Sequence, residues 1–170
     1  SALVAGGRDG SLALAPAAWN GARAVPVACA LPPSRALHCD ARGRLFAIAA
    51  HGEAQQGALR MLENGDWITL VDGLTLPCAL ATSAGADRLY VVEAPRARVQ
   101  AVDIAGRLGT ARARVVAELG AYPGEPRGAA VDADGNLWTV LTDAGYVVCI
   151  DAGGRLARVL RLAAQAPTGC

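Results

Sequence analysis

The stretch Asp132-Ala133-Asp134-Gly135-Asn136-Leu137-Trp138-Thr139-Val140 decides the fold. Its first five residues suit a tight turn that needs positive φ. Its last four are apolar, β-branched or aromatic, so the stretch reads as a strand entered from a turn. The same pattern occurs twice upstream, where Leu45-Phe46-Ala47-Ile48 follows Asp40-Ala41-Arg42-Gly43 and Leu89-Tyr90-Val91-Val92 follows Ser83-Ala84-Gly85-Ala86-Asp87. Working outward, a second strand pattern follows each of these, at residues 57–61, 98–104 and 145–151. Hairpin residues come next (Glu63-Asn64-Gly65-Asp66, Ala105-Gly106-Arg107 and Ala152-Gly153-Gly154), and then a third strand pattern at 67–71, 115–119 and 156–162.

Repeat spacing sets the architecture. Leu45, Leu89 and Leu137 head equivalent strands and lie 44 and 48 residues apart (89 − 45 and 137 − 89). Four-stranded propeller blades take roughly 40–50 residues. Helical repeats of that length would need a 3.6-residue apolar period, which the chain lacks despite its many alanines. The expected fold class is therefore all-β: a single-domain β-propeller with blade repeats at about 1–32, 33–76, 77–124 and 125–170. Residues 3–5 and 11–14 read as the remains of an earlier blade. Propellers close with about four to eight blades. The chain starts inside an apolar run and stops at Ala166-Pro167-Thr168-Gly169-Cys170, so an incomplete arc of three to four blades is expected. An open arc leaves unpaired strand edges, which predicts self-association.

Composition narrows the function classes. With 53% hydrophobic residues the chain has material for a core and is not disordered. A formal charge of +1 gives no long-range attraction to nucleic acid or to an anionic membrane, and neither is expected as a partner. No apolar run approaches the roughly 18–20 residues that span a bilayer. The five cysteines, Cys29, Cys39, Cys78, Cys149 and Cys170, are odd in number and lack Cys-x-x-Cys spacing. They read as reduced thiols in a cytoplasmic protein, not as a disulfide framework or a zinc site.

Three segments carry a resemblance to a known family. Pro77-Cys78-Ala79-Leu80-Ala81-Thr82-Ser83 through Leu89-Tyr90 resembles S-N-G-L-A-F-S…L-Y of the SMP-30/gluconolactonase family. Pro126-Arg127-Gly128-Ala129-Ala130-Val131-Asp132 through Asn136-Leu137-Trp138 resembles P-D-G-L-A-V-D…G-N-L-W, and Arg35-Ala36-Leu37-His38-Cys39-Asp40-Ala41-Arg42-Gly43-Arg44 resembles N-D-G-K-C-D-P-A-G-R. The segments occur in family order. The resemblance implies a six-bladed propeller, a divalent cation such as calcium or zinc on its axis, and lactone hydrolysis. Against that pattern the chain lacks at least one blade before these segments, with a Glu ligand, and one after them.

Carried over residue by residue, the family's two Asn ligands fall on Arg35 and Cys78, and its Asp, ligand and general base, on Arg127. A guanidinium has no lone pair to ligate a cation and stays protonated, so it cannot act as a base. The resemblance therefore implies a site without the family's metal or mechanism, and no cofactor is expected. Replacing two carboxylates and a divalent ion by two arginines and a thiol changes the formal charge from about 0 to about +2. Glu53 falls near a substrate-contacting carboxylate of the family and would offset one charge.

Each residue also has a plainer reading. Arg35 and Arg127 suit solvent-facing loop positions, Cys78 a small apolar filler, and Glu53 a loop carboxylate. His38 and His51 suit hydrogen-bonded surface or core groups as well as metal ligands. Phe46, Tyr90 and Trp138 read as core. Three functions stay open: a degenerate propeller binding a small molecule, an anion such as a sugar acid or else a lactone; an active lactonase; and a structural fragment.

Overall fold

The computed structural model describes residues 2–6, 12–16, 25–27, 34–51, 56–106, 111–163, 167 and 169, with side chains described only from residue 34 onward and not at 50, 51 or 56. Among the described residues there are strands and no helix. Strands β1 (Ala2–Gly6), β2 (Leu12–Pro16) and β3 (Val25–Val27) pair in one sheet. A second sheet holds β4 (Ser34–Cys39), β5 (Leu45–His51), β6 (Gln56–Glu63) and β7 (Asp66–Thr75). The third holds β8 (Pro77–Thr82), β9 (Arg88–Glu93), β10 (Arg98–Asp103) and β11 (Ala113–Glu118). The fourth holds β12 (Pro126–Val131), β13 (Leu137–Leu141), β14 (Tyr146–Ile150) and β15 (Leu156–Arg161).

Every pairing is antiparallel between chain neighbours, so each sheet is an up-and-down meander. Strand β8 packs beside β4 on one side and β12 on the other, so these three line the axis and the sheets radiate from it as propeller blades. The turn-and-strand pattern of the sequence locates the three outer strands of these blades. The fourth, innermost strand precedes each turn.

Blades pack face to face, and the central one shows why its strands are apolar throughout. In β9, Leu89 and Val91 face the second blade with Leu80, Val102 and Ile104, where they meet Phe46, Ile48 and Leu59. The alternate residues Tyr90 and Val92 face the fourth blade with Ala79, Ala81 and Ala101, against Leu137, Leu141 and Val148. Successive side chains of a strand point to opposite faces, so a blade covered on both faces loses the apolar–polar alternation. Phe46 and Tyr90 are buried as expected from sequence, while Trp138 is only half-buried and donates its indole N–H to Asp132 Oδ2 at 2.8 Å.

The turns entering the second strand of the second and fourth blades share one chemistry. Asp40 Oδ1 accepts from the Arg42 and Arg44 N–H at 2.9 and 2.8 Å, and Asp132 Oδ1 accepts from Asp134 and Asn136 at 3.0 and 2.8 Å. Such Asx turns fix the entry of β5 and β13, and with it the register of each blade. Hydrogen bonds from Trp138 and Asn136 hold the Asp132 carboxyl down at about 2.

Candidate functional site

The residues expected at the site occupy the same place in three blades. Arg35, Cys78 and Arg127 are each the second residue of an inner strand, β4, β8 and β12. Each stands at a register shift. Ser34 pairs with Ala49 and Ala36 with Ile48, leaving Arg35 as the extra residue; Pro77 pairs with Glu93 and Ala79 with Val92, leaving Cys78. In β12 the shift falls between Arg127 and Ala130. A bulge frees a side chain from the pleat and re-aims it, a device common at barrel rims and active sites.

Cys78 sits at the meeting of two inner strands. Its thiol is shared between the carbonyl of Pro126 in the next blade, at 3.2 Å, and that of Val92, at 3.4 Å. Burial pushes this thiol up to about 11, with Arg127 and Arg35 pulling it down and Glu125 adding to the rise. Cys78 is therefore a protonated donor at neutral pH and not the nucleophile that two nearby arginines alone would produce. Its electrostatics place Arg35, Glu125 and Arg127 around it. Arg35 and Arg127 are exposed, and Arg127 Nη2 lies 3.2 Å from Glu125 Oε2. Sequence reasoning missed Glu125, although its place two residues before Arg127 offered a signal. It lowers the formal charge around Cys78 from +2 to +1.

One further group frames this end. Glu93, fully buried, accepts from the Thr75 N–H at the end of the second blade at 2.6 Å, from Gln100 Nε2 at 2.6 Å and from Arg98 Nε. Burial opposes its ionisation, but these bonds outweigh burial and hold the carboxyl below its ordinary value. At the other end of the inner strands, His38 Nε2 is 2.9 Å from Thr82 Oγ1, and burial lowers its pKa against the opposing pull of Asp40. Glu53 and the side chain of His51 lie outside the described residues.

Hard cations take oxygen donors. Two guanidinium groups and a protonated thiol do not fit such an ion, and among the described residues no group of three His, Cys, Asp or Glu side chains could hold one. No helix among them is long and apolar enough to cross a membrane.

Fold and site define a β-propeller whose inner-strand tips converge on one end of the axis. The sequence pattern of the SMP-30/Gluconolactonase/LRE-like region matches residues 36–170. The chain belongs to that family. No curated protein matches it by sequence. Among solved structures it is similar to regucalcin from Agrobacterium tumefaciens, a calcium-binding protein, with 19% identity and a TM-score of 0.75 over 98% of this chain and 61% of that one. A gluconolactonase from Xanthomonas campestris gives 21% identity and a TM-score of 0.69 over 95% and 58% of the two chains. A luciferin-regenerating enzyme gives 18% and 0.75 over 95% and 59%. The chain thus spans about three fifths of the length of these structures.

Proposed function

We propose that this chain is a degenerate member of its family that binds a small organic anion at the inner-strand tips and does not open lactones by the family's metal-dependent route. The observation that carries this reading is the replacement of oxygen donors by Arg35, Arg127 and a thiol pushed up to about 11. Guanidinium groups bind carboxylates through charge-assisted, often bidentate hydrogen bonds. With Glu125 paired to Arg127, Arg35 supplies a positive charge that no described residue pairs, and binding is weak and sensitive to salt. A sugar acid is the expected ligand class, since lactone-handling relatives such as the Xanthomonas gluconolactonase share the fold. The cytoplasmic setting belongs to the same reading and is supported by the free thiols of Cys39, Cys78 and Cys149.

The test is calorimetric titration of gluconate and of Ca²⁺ into the chain and into Arg35→Asn/Cys78→Asn/Arg127→Asp. Gluconate should bind the parent, more weakly as salt is raised, and Ca²⁺ should not bind. A parent chain that binds Ca²⁺ and turns over gluconolactone would instead establish an active lactonase with a differently built metal site. A chain that neither ligand stabilises would leave a structural fragment.

A further inference from the structure

A cavity lies at the end of the blades opposite the inner-strand tips, between the third and the fourth. It has a volume of about 350 Å³ and is lined by Arg88, Tyr90, Arg114 and Val115 on one side and by Leu137 and the Asp151–Gly154 hairpin on the other. Strand β9 separates it from Cys78. Arg88 opens that strand, and Glu93, which pairs with Pro77 beside Cys78, closes it. Six residues of extended chain span roughly 17–20 Å.

Register explains how the two arginines come to share one face. Tyr90 pairs with Ala101 and Ala101 with Arg114, so all three project from the same side of the blade in one row. Arg88 precedes Tyr90 by two residues and projects with it. Two strand spacings put the Cα atoms of Tyr90 and Arg114 roughly 10 Å apart, within reach of a shared ligand for side chains as long as Arg.

Arg88 is the counterpart of Arg44, since each immediately precedes the leucine that heads its blade's second strand. Arg44 is fully engaged: Nε meets Asp40 Oδ2 at 2.7 Å, and the two terminal nitrogens donate to Ile104 O and Ala86 O of the next blade at 2.8 and 2.5 Å. In the third blade Ser83 stands where Asp40 does. Its hydroxyl bonds Asp87 at 2.5 Å, which takes up the neighbouring carboxylate. Arg88 and Arg114 make no side-chain hydrogen bond or ion pair with a described residue. The facing hairpin brings one carboxylate, Asp151, whose Oδ1 is occupied by the N–H groups of Gly153 and Arg155, both at 2.9 Å. Within the cavity's own lining, two guanidinium groups and one carboxylate leave a formal +1, while Asp87, Asp103 and Arg112 line the adjoining pocket beside the same two arginines. Tyr90, Leu137, Ile150 and the 44%-exposed Val115 supply an apolar wall. The hairpin is seated close to the third blade, since a Cβ on Gly154 would come within 2.3 Å of Val116 O. That contact fixes the cavity's outer wall.

We propose that this inter-blade cavity is a second binding site, separate from the inner-strand tips, for a small monoanion with an apolar body, such as an aromatic carboxylate. Arg88 and Arg114 hold the carboxylate and the apolar wall holds the ring. A dianion is disfavoured by Asp151, and an anion without an apolar body forgoes the contacts of the apolar wall.

Titrating benzoate, acetate and inorganic phosphate separately into the ¹⁵N-labelled chain tests this. Benzoate should shift the Gly153 and Gly154 amides at millimolar concentration, and acetate and phosphate should not. Arg88→Met/Arg114→Met should weaken benzoate binding by about tenfold or more, the loss of at least one charge-assisted hydrogen bond. Asp151→Asn, which keeps an oxygen to accept the hairpin N–H groups, should tighten it. Arg127→Asp should leave it unchanged. The proposal is overturned if benzoate leaves the hairpin amides unmoved or is matched there by acetate or phosphate. It is equally overturned if the double variant binds benzoate like the parent, if Asp151→Asn weakens binding, or if Arg127→Asp abolishes it.

Discussion

The junction between the second and third blades and the junction between the third and fourth use the same blade twice, with opposite results. On one face the third blade contributes Leu80, Leu89, Val91, Val102 and Ile104, which close tightly on Phe46, Ile48 and Leu59. Arg44 seals one end of this junction by reaching two carbonyls of the third blade, and Glu93 seals the other through the Thr75 N–H. On the opposite face alanines are more numerous, with Ala79, Ala81, Ala101 and Ala117 beside Tyr90, Val92, Val99 and Leu119. There the arginine in the sealing position, Arg88, faces an open cavity. Close packing and polar sealing make one junction a structural seam, while short side chains and an unmade clasp make the other a crevice.

The sharpest way to break this contrast is to hollow out the seam. Phe46 is fully buried there, and Phe46→Ala should cost about 3–5 kcal/mol of unfolding free energy, measured by urea denaturation. A loss below about 1 kcal/mol would mean that the seam does not carry the stability assigned to it. Next in size is the clasp. Arg44→Met keeps the apolar stem but leaves Oδ2 of Asp40, whose side chain is fully buried, and two carbonyls without their donor, at a cost of about 2–4 kcal/mol. Equal stability of parent and variant would show that water replaces the clasp freely.

A pH series sharpens the other end of the seam. The folded-state pKa of Glu93 lies below its ordinary value of 4.5, so its stabilising contribution is fully present above that pH. It is lost as pH falls through the depressed value. The urea midpoint should therefore drop on acidification below pH 4.5, and Glu93→Gln should flatten this part of the profile. A variant with the parent's full acid dependence would assign the drop to other carboxylates. The smallest effect belongs to the crevice. Arg88→Met should change stability by less than about 0.5 kcal/mol, as expected of a side chain that seals nothing. A penalty comparable to that of Arg44→Met would erase the difference between the two junctions.

Much of the fold was legible because its signals are local. The turns at Asp40, Ser83 and Asp132 and the runs headed by Leu45, Leu89 and Leu137 state the strand order, and their spacing states the repeat. The inner strands are harder to read from pattern. Ser34–Cys39 and Pro126–Val131 are half-buried along most of their length and carry Arg, His and Gly among small residues, so neither period stands out. At the candidate site, the 43- and 49-residue separations of Arg35, Cys78 and Arg127 (78 − 35 and 127 − 78) express their shared position, but a bulge does not show in such spacing. It is set by pairing with strands that lie some way along the chain, as Pro77 pairs with Glu93. Nor does spacing reveal that Glu125 turns toward Arg127, or that Arg44 closes on the next blade while Arg88 does not. The substitution of Ser83 for the turn aspartate is the local mark of that last difference.

The bulges at the inner-strand tips also bear on how such a domain changes over generations. A residue that stands outside the ladder contributes little to holding the sheet together, so exchanging its side chain disturbs the blade less than a substitution one position further along. Arg35 and Cys78 occupy such positions, next to Ala36 and Ala79, which return to regular pairing. Heritable variation can rewrite the chemistry of these tips while selection on folding keeps watch elsewhere. Two lineages can therefore keep one scaffold and diverge completely in what they bind.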